Sequence, residues 1–229
     1  MTSTARGAAF SDVDETLIRV KSMFRFLEFY LRLRGEPPAT YERLMGELRG
    51  AALRGAPRDE INRSFYRLLR GESASRLAAA GRRWFAAEWE SQEQGLYLPD
   101  VEEALLAHRK AGRPLILVSG SFFAPLDPIA ADIGAEAVLA TRPVVRHGDL
   151  TGEVLVPMIG ATKGRAVRLA APVAGIDLAA SWAYGDHGSD LSMLRAVGHP
   201  VAVGDDPELA AHATTTPGWA RLTAGLVRR

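Results

Sequence analysis

Asp12 and Asp14 stand one residue apart in Ser11-Asp12-Val13-Asp14-Glu15-Thr16, directly after the small apolar run Gly7-Ala8-Ala9-Phe10. In an extended chain, residues two apart point to the same side. The two carboxylates therefore start on one face, unless the chain turns between them. Like charges that close repel and raise one another's pKa. Such a pair at a strand exit, followed by Thr and a helical segment, points to a metal-dependent active site. Other polar groups occupy comparable places. Ser119 and Gly120 end the run Pro114-Leu115-Ile116-Leu117-Val118. Asp186 follows Trp182-Ala183-Tyr184-Gly185, with Asp190 four residues on, and Lys163 stands where a helix starts.

Phosphoryl transfer has a use for each of these types. A carboxylate can attack phosphorus and form an acyl phosphate. Magnesium prefers oxygen ligands, one or two of them carboxylates, and bridges to a phosphate oxygen. Ser119 and nearby backbone N–H groups can hold non-bridging oxygens. Lys163 can neutralise the nucleophile and the charge developing on the phosphoryl group. A second carboxylic acid must protonate the leaving alcohol and later activate water.

These residues need a scaffold that gathers strand ends. Leu115–Val118 reads as a strand buried on both faces of a parallel sheet. Ala8–Phe10, Ala137–Leu139, Trp182–Tyr184 and Pro200–Val203 read as further strands, alternating with helical segments. His147-Gly148-Asp149 reads as the turn of a hairpin. The pattern predicts an α/β fold, a doubly wound Rossmann-like parallel sheet, in which ligands bind outside the carboxyl ends of the strands. Between about Arg19 and Glu93 the periodicity is helical instead: Phe24, Leu27, Tyr30 and Leu31, then Leu44, Leu48 and Ala52, then Ile61, Phe65 and Leu68. Ser73 is placed to cap a fourth helix carrying Leu77, Trp84 and Phe85. The expected organisation is a core of residues 1–18 and 94–229 with an all-helical cap, 19–93, inserted after the first strand.

The totals agree with an enzyme of ordinary size. The 229 residues are 47% apolar, contain no cysteine and carry a formal net charge of +1. That excludes a disulfide framework and a cysteine zinc site, and nothing marks a nucleic-acid footprint. No apolar signal region precedes the acidic motif, and no uncharged stretch has the length of a membrane span. The expectation is a cytoplasmic protein without nucleic-acid or membrane partners; the oligomeric state is left open.

Taken in order, Asp12-Val13-Asp14-Glu15-Thr16, Ser119-Gly120, Lys163 and Gly185-Asp186-His187-Gly188-Ser189-Asp190 resemble the four signatures of phosphatases of the haloacid dehalogenase superfamily. The helical insert resembles the cap of subfamily IB, the phosphoserine-phosphatase-like branch. The resemblance implies a magnesium-dependent phosphatase acting on a small-molecule phosphomonoester, with Asp12 as nucleophile and Asp14 as general acid and base. It implies a Mg2+ held by Asp12, the Asp14 backbone carbonyl and Asp186, with Asp190 behind them or acting through water. It implies that Thr16, Ser119, Gly120 and Lys163 order the phosphoryl group; in related caps an arginine reaches the substrate, for which Arg63 and Arg67 are candidates, although their pattern reads first as a solvated helical face. A phosphotransferase or phosphomutase is the alternative on the same scaffold, and a non-catalytic phospholigand-binding module the alternative in kind. Departures from the phosphoserine phosphatase pattern concern the substrate. Lys21 stands where those enzymes carry an acid, Ser189 where they carry Asn, Ser121 where Gly is frequent, and His187 where many relatives have Gly or Ser. Lys21 and Ser189 count against phosphoserine; a cation at Lys21 repels an ammonium.

Overall fold

The computed structural model describes residues 6–93 and 95–223. The amino-terminal residues 1–5, the domain boundary drawn at residue 94 and residues 224–229 lie outside the described residues. The strands in chain order are β1 (Ala9–Ser11), β2 (Leu115–Ser119), β3 (Ala137–Ala140), the pair β4 (Pro143–Arg146) and β5 (Asp149–Val154), β6 (Trp182–Gly185), β7 (His199–Val203) and β8 (Ala220–Leu222). Among the described residues, six form one parallel sheet in the order β3-β2-β1-β6-β7-β8, and β4 and β5 form a separate antiparallel hairpin turning at His147-Gly148. The strands β1 and β2 are buried throughout, as a sheet covered on both faces requires. The order reverses between β1 and β6, so the crevice beyond their carboxyl ends is the switch point of an open α/β sheet. The short strand β8, which has too few residues to show a period, was not foreseen.

Four helices follow β1: α1 (Ser22–Leu33), α2 (Pro38–Leu53), α3 (Arg58–Leu68) and α4 (Ala74–Ser91). Pro38 stands in the first turn of α2, where its missing N–H costs nothing, and Ser73 accepts the Arg76 N–H as the cap of α4. In α1 the residues Phe26, Leu27, Tyr30 and Leu31 are buried at helical spacing. In α2, where Leu44, Leu48 and Ala52 were expected on one face, Leu48 is buried and Leu44 packs partly buried against the core, while Met45 is buried and Ala52 is exposed. The helices of the core are α5 (Pro99–Lys110), α6 (Phe123–Ile133), α7 (Ala161–Val173), α8 (Leu191–Leu194) and α9 (Pro207–Thr215).

The insert shares a core with the sheet. One hydrophobic cluster runs from Ala9 and Leu117 through Phe122 to Phe26, Phe65, Tyr66 and Trp84. Phe122 meets Phe26 at 5.6 Å and Tyr66 at 5.5 Å between ring centroids, both edge to face, the arrangement aromatic quadrupoles favour. Helix α4 lies tightly on α6: a Cβ on Gly81 would fall 1.8 Å from the Ala124 carbonyl oxygen. No helix among the described residues is long and apolar enough to cross a membrane.

Candidate active site

The chain leaves β1 at Ser11 and curls at once. The N–H groups of Leu17 and Ile18 both donate to the Val13 carbonyl, and Glu15 adopts a left-handed φ of 62°. That curl separates the two carboxylates that open the motif. The Asp12 N–H donates to the Tyr184 carbonyl on β6, which aims Asp12 over the crevice. Asp14 turns to the start of α1, where the Ser22 N–H donates to its Oδ1 at 3.0 Å. The mutual repulsion expected of Asp12 and Asp14 is not the main influence on either: burial leads for both, followed by Lys163 at Asp12 and by Ser22 at Asp14. An even spacing sets a common face only while the backbone stays extended, and here it does not.

Asp12 meets other charges instead. Lys163, in the first turn of α7, places its ammonium 2.9 Å from Asp12 Oδ1 and 2.6 Å from Asp190 Oδ1. It reaches them because Gly164 lets α7 approach α8; a Cβ there would lie 2.1 Å from the Ser192 carbonyl oxygen. Asp190 is wholly buried and its other oxygen accepts the His187 N–H at 3.3 Å. Burial pulls the Lys163 ammonium down, but Asp12 and Asp190 overcome it and hold the group above the ordinary lysine range. Burial likewise raises the Asp12 carboxyl well above its ordinary value; Lys163 opposes this, and Asp190 and Asp186 add to it.

Carboxylate oxygens of Asp12, Asp186 and Asp190 all lie within 4.8 Å of one another. Asp12 Oδ1 accepts from the Val13 N–H and Lys163, and Asp186 Oδ1 from the Thr16 hydroxyl at 2.7 Å. The second oxygen of each has no hydrogen-bond donor among the described residues. An all-oxygen set with two free carboxylate oxygens and a surplus of negative charge fits a hard divalent cation such as magnesium. Asp190 has both oxygens engaged, which fits a supporting place behind the other two. Burial raises Asp186 to about 6, the Thr16 hydroxyl bond working against it.

The residues expected around the phosphoryl group divide. Ser119, Gly120, Lys163 and Ser121 line a cavity of about 360 Å³ with Asp12, Asp14 and Asp186. The Ser119 hydroxyl oxygen accepts the Ser121 N–H at 3.1 Å, which leaves its own proton free. Thr16 is a correction: it is fully buried and its hydroxyl is committed to Asp186, so it orients that carboxylate and does not face the cavity. Lys21, His187 and Ser189 do line the cavity. Lys21 is paired with Glu15 at 3.1 Å. The His187 ring accepts the Ser189 N–H at Nδ1 and has Arg58 2.9 Å from Nε2; burial first, then Arg58, lower its pKa.

Neither Arg63 nor Arg67 lines the cavity. Arg63 donates to the Val154 carbonyl and Arg67 to the Ser64 hydroxyl; Arg49 and Arg58 line the cavity instead. Sequence reasoning also missed Asn62 and Tyr66, which both donate to the Gly120 carbonyl, at 2.9 and 3.0 Å. Helical spacing marked Ile61, Phe65 and Leu68 as one face, but gave no sign that the neighbouring polar residues clasp the β2 loop. His108 on α5 is buried with Nε2 2.9 Å from the Tyr184 hydroxyl.

Residues 9–195 match the family described as haloacid dehalogenase-like hydrolase. The chain belongs to this family. It is accordingly a hydrolase. A probable phosphatase of Mycobacterium tuberculosis is 31% identical over 232 residues, spanning 96% of this chain and 76% of the relative. A Bordetella pertussis protein of unknown function has the same fold at a TM-score of 0.84 and 26% identity, over 97% of this chain and all of that one. A substrate-bound phosphoserine phosphatase matches at a TM-score of 0.66 and 22% identity, over 94% of this chain and 92% of that one, which shows likeness of fold.

Proposed function

We propose that this haloacid dehalogenase-like hydrolase is a magnesium-dependent phosphomonoesterase working through an aspartyl phosphate on Asp12. The observation that carries the reading is the pairing of a buried Asp12, held by Lys163, with a separate carboxyl, Asp14, brought to about 6. Burial raises Asp14 and the hydrogen bonds from Ser22 restrain the rise. A carboxyl near 6 can give a proton and take one back close to neutral pH.

In the first step an Asp12 carboxylate oxygen attacks phosphorus and the bond from phosphorus to the leaving oxygen breaks. Asp14 gives its proton to that oxygen, and the alcohol departs. In the second step Asp14 takes a proton from water, whose oxygen attacks phosphorus. The bond to Asp12 breaks, releasing phosphate and restoring the carboxylate. Lys163 holds Asp12 in place and offsets the charge that builds on the phosphoryl oxygens. Ser119 and the Gly120 loop, fixed by Asn62 and Tyr66, offer donors to the same oxygens. Mg2+ held by Asp12 and Asp186, with Asp190 behind them, would supply charge neutralisation at the phosphate. Residues 19–93 serve as the cap over a core of 1–18 and 94–229, and Lys21 argues against an amino-acid substrate such as phosphoserine.

The decisive test is Asp12→Asn. Phosphate release from p-nitrophenyl phosphate should vanish while the melting temperature stays within a few degrees of the parent. EDTA should silence the parent enzyme and magnesium restore it. Full activity in Asp12→Asn would overturn the mechanism.

A further inference from the structure

The cavity above Asp12 has two unlike halves. Its floor carries the polar groups already described. Its roof is apolar: Met23 and Phe24 from α1, Leu48 from α2, Ile61 and Phe65 from α3, with Ile159 opposite. The charged residues that the insert adds to the lining are Lys21, Arg49 and Arg58, all cations. Arg49 is drawn to Glu42 at 3.4 Å and Lys21 to Glu15, whereas Arg58 meets the His187 ring and has no carboxylate partner among the described residues. Outside the cluster that faces phosphate, Glu15 and Asp14 are the acids in the lining, and the first is already paired with Lys21.

A leaving group that occupies the roof must leave water for a wall whose side chains are mostly apolar; Asn62, with its Oδ1 unpartnered, is the polar side chain that α3 adds beside Ile61. Polar alcohols such as sugars lose most of their hydrogen bonds there without replacement. Apolar ones gain, by roughly fourfold in affinity for each methylene buried. A leaving group bearing an ammonium meets cations at the rim, and Asp14, the acid there that has no cation partner among the described residues, is the proton donor of the proposed step. Building on the phosphatase reading above, we propose that this site takes phosphomonoesters of apolar alcohols, aryl or medium-chain alkyl, and rejects those carrying an ammonium. The roof also keeps bulk water from the floor, where low polarity strengthens the charged contacts.

Binding of n-alkylphosphonates, which cannot be hydrolysed, tests this apart from turnover. Calorimetry in magnesium buffer on the full chain should show Kd falling at least tenfold from ethyl- to hexylphosphonate. Binding of 2-aminoethylphosphonate should be weaker than that of ethylphosphonate. Ile61→Ser, at a partly exposed position, and Leu48→Ala should each flatten the chain-length dependence and leave the Kd of ethylphosphonate unchanged. A Kd independent of chain length, tighter binding of the amino compound, or no binding of hexylphosphonate would overturn the proposal. Turnover of ethyl phosphate and p-nitrophenyl phosphate reads the activity separately: chain-length-dependent binding without any turnover would sink the phosphatase reading and keep the selectivity.

Discussion

Lys163 is asked to neutralise two buried carboxylates at once, and its loss should be felt twice. Lys163→Ala should lower kcat for p-nitrophenyl phosphate by about a hundredfold or more, the scale of losing a preorganised electrostatic contact. It should also lower the melting temperature, because Asp12 and Asp190 are left buried without their cation. Asp186 gives a pH-dependent prediction. It titrates near 6 when folded against an ordinary 3.8. Between about pH 4 and pH 6 the folded chain therefore holds a proton that the unfolded chain has lost, and the contribution of this group to stability falls as pH rises through that window. In EDTA, Asp186→Asn should melt a few degrees above the parent at about pH 7, with the advantage gone near pH 4; in a chain of this size each kcal/mol is worth about 2–4 °C. In magnesium the order should reverse. A variant equally advantaged at both pH values would contradict the assignment. At this scale the gathering of Asp12, Asp14, Lys163 and Asp186 at one cavity, with Asp190 behind Lys163, was legible from residue types near the ends of strands and helices. The part of Thr16 was not, since a hydroxyl serves a phosphate or a neighbouring carboxylate equally well and only its burial against Asp186 decides.

At the scale of elements, the site depends on close contacts between helices. Gly81→Val should force α4 away from α6, since even the first carbon of a side chain would meet the Ala124 carbonyl. The expected cost is about 1–3 kcal/mol, read as a drop in melting temperature. An unchanged melting temperature would mean that α4 does not pack on α6 as described. Helix α3 bears on catalysis through the β2 loop. Tyr66→Phe removes one of the two donors that hold the Gly120 carbonyl, so kcat should fall several-fold with KM little changed if the loop presents donors mainly to the transition state. The helices themselves were readable from caps, punctuation and period. Which helix touches which was not: α2 presents Met45 rather than Ala52 to the interior because its rotation is set by α1 and α3, not by its own modest amphipathicity.

Across the whole molecule, the insert and the sheet are joined by aromatic side chains from both. Phe122 precedes α6 in the core, while Phe26, Phe65, Tyr66 and Trp84 belong to the insert. Thermal unfolding should therefore show one cooperative transition; two separated transitions would show that the insert folds on its own. Phe122→Ala should cost about 3–5 kcal/mol and destabilise both parts together. The same joint ties α1 and α4 to the core, which leaves α2 and the amino-terminal half of α3, carrying Leu48, Arg49 and Arg58, as the part of the roof farthest from it.

The phosphatase signature was readable in the sequence alone, because Asp12, Asp14, Ser119, Lys163 and Asp186 are of types that phosphoryl transfer can use and each stands where a strand or helix begins or ends. The sequence also determined the alternation of strand and helix, and that a helical block interrupts it after the first strand. Tertiary structure decided that Asp12 and Asp14 do not confront one another, since the chain curls at Val13 and hands Asp14 to the start of α1. It decided which arginines and which apolar side chains line the cavity. Those choices depend on how helices far apart in the chain rotate and dock, and short-range periodicity carries no information about that.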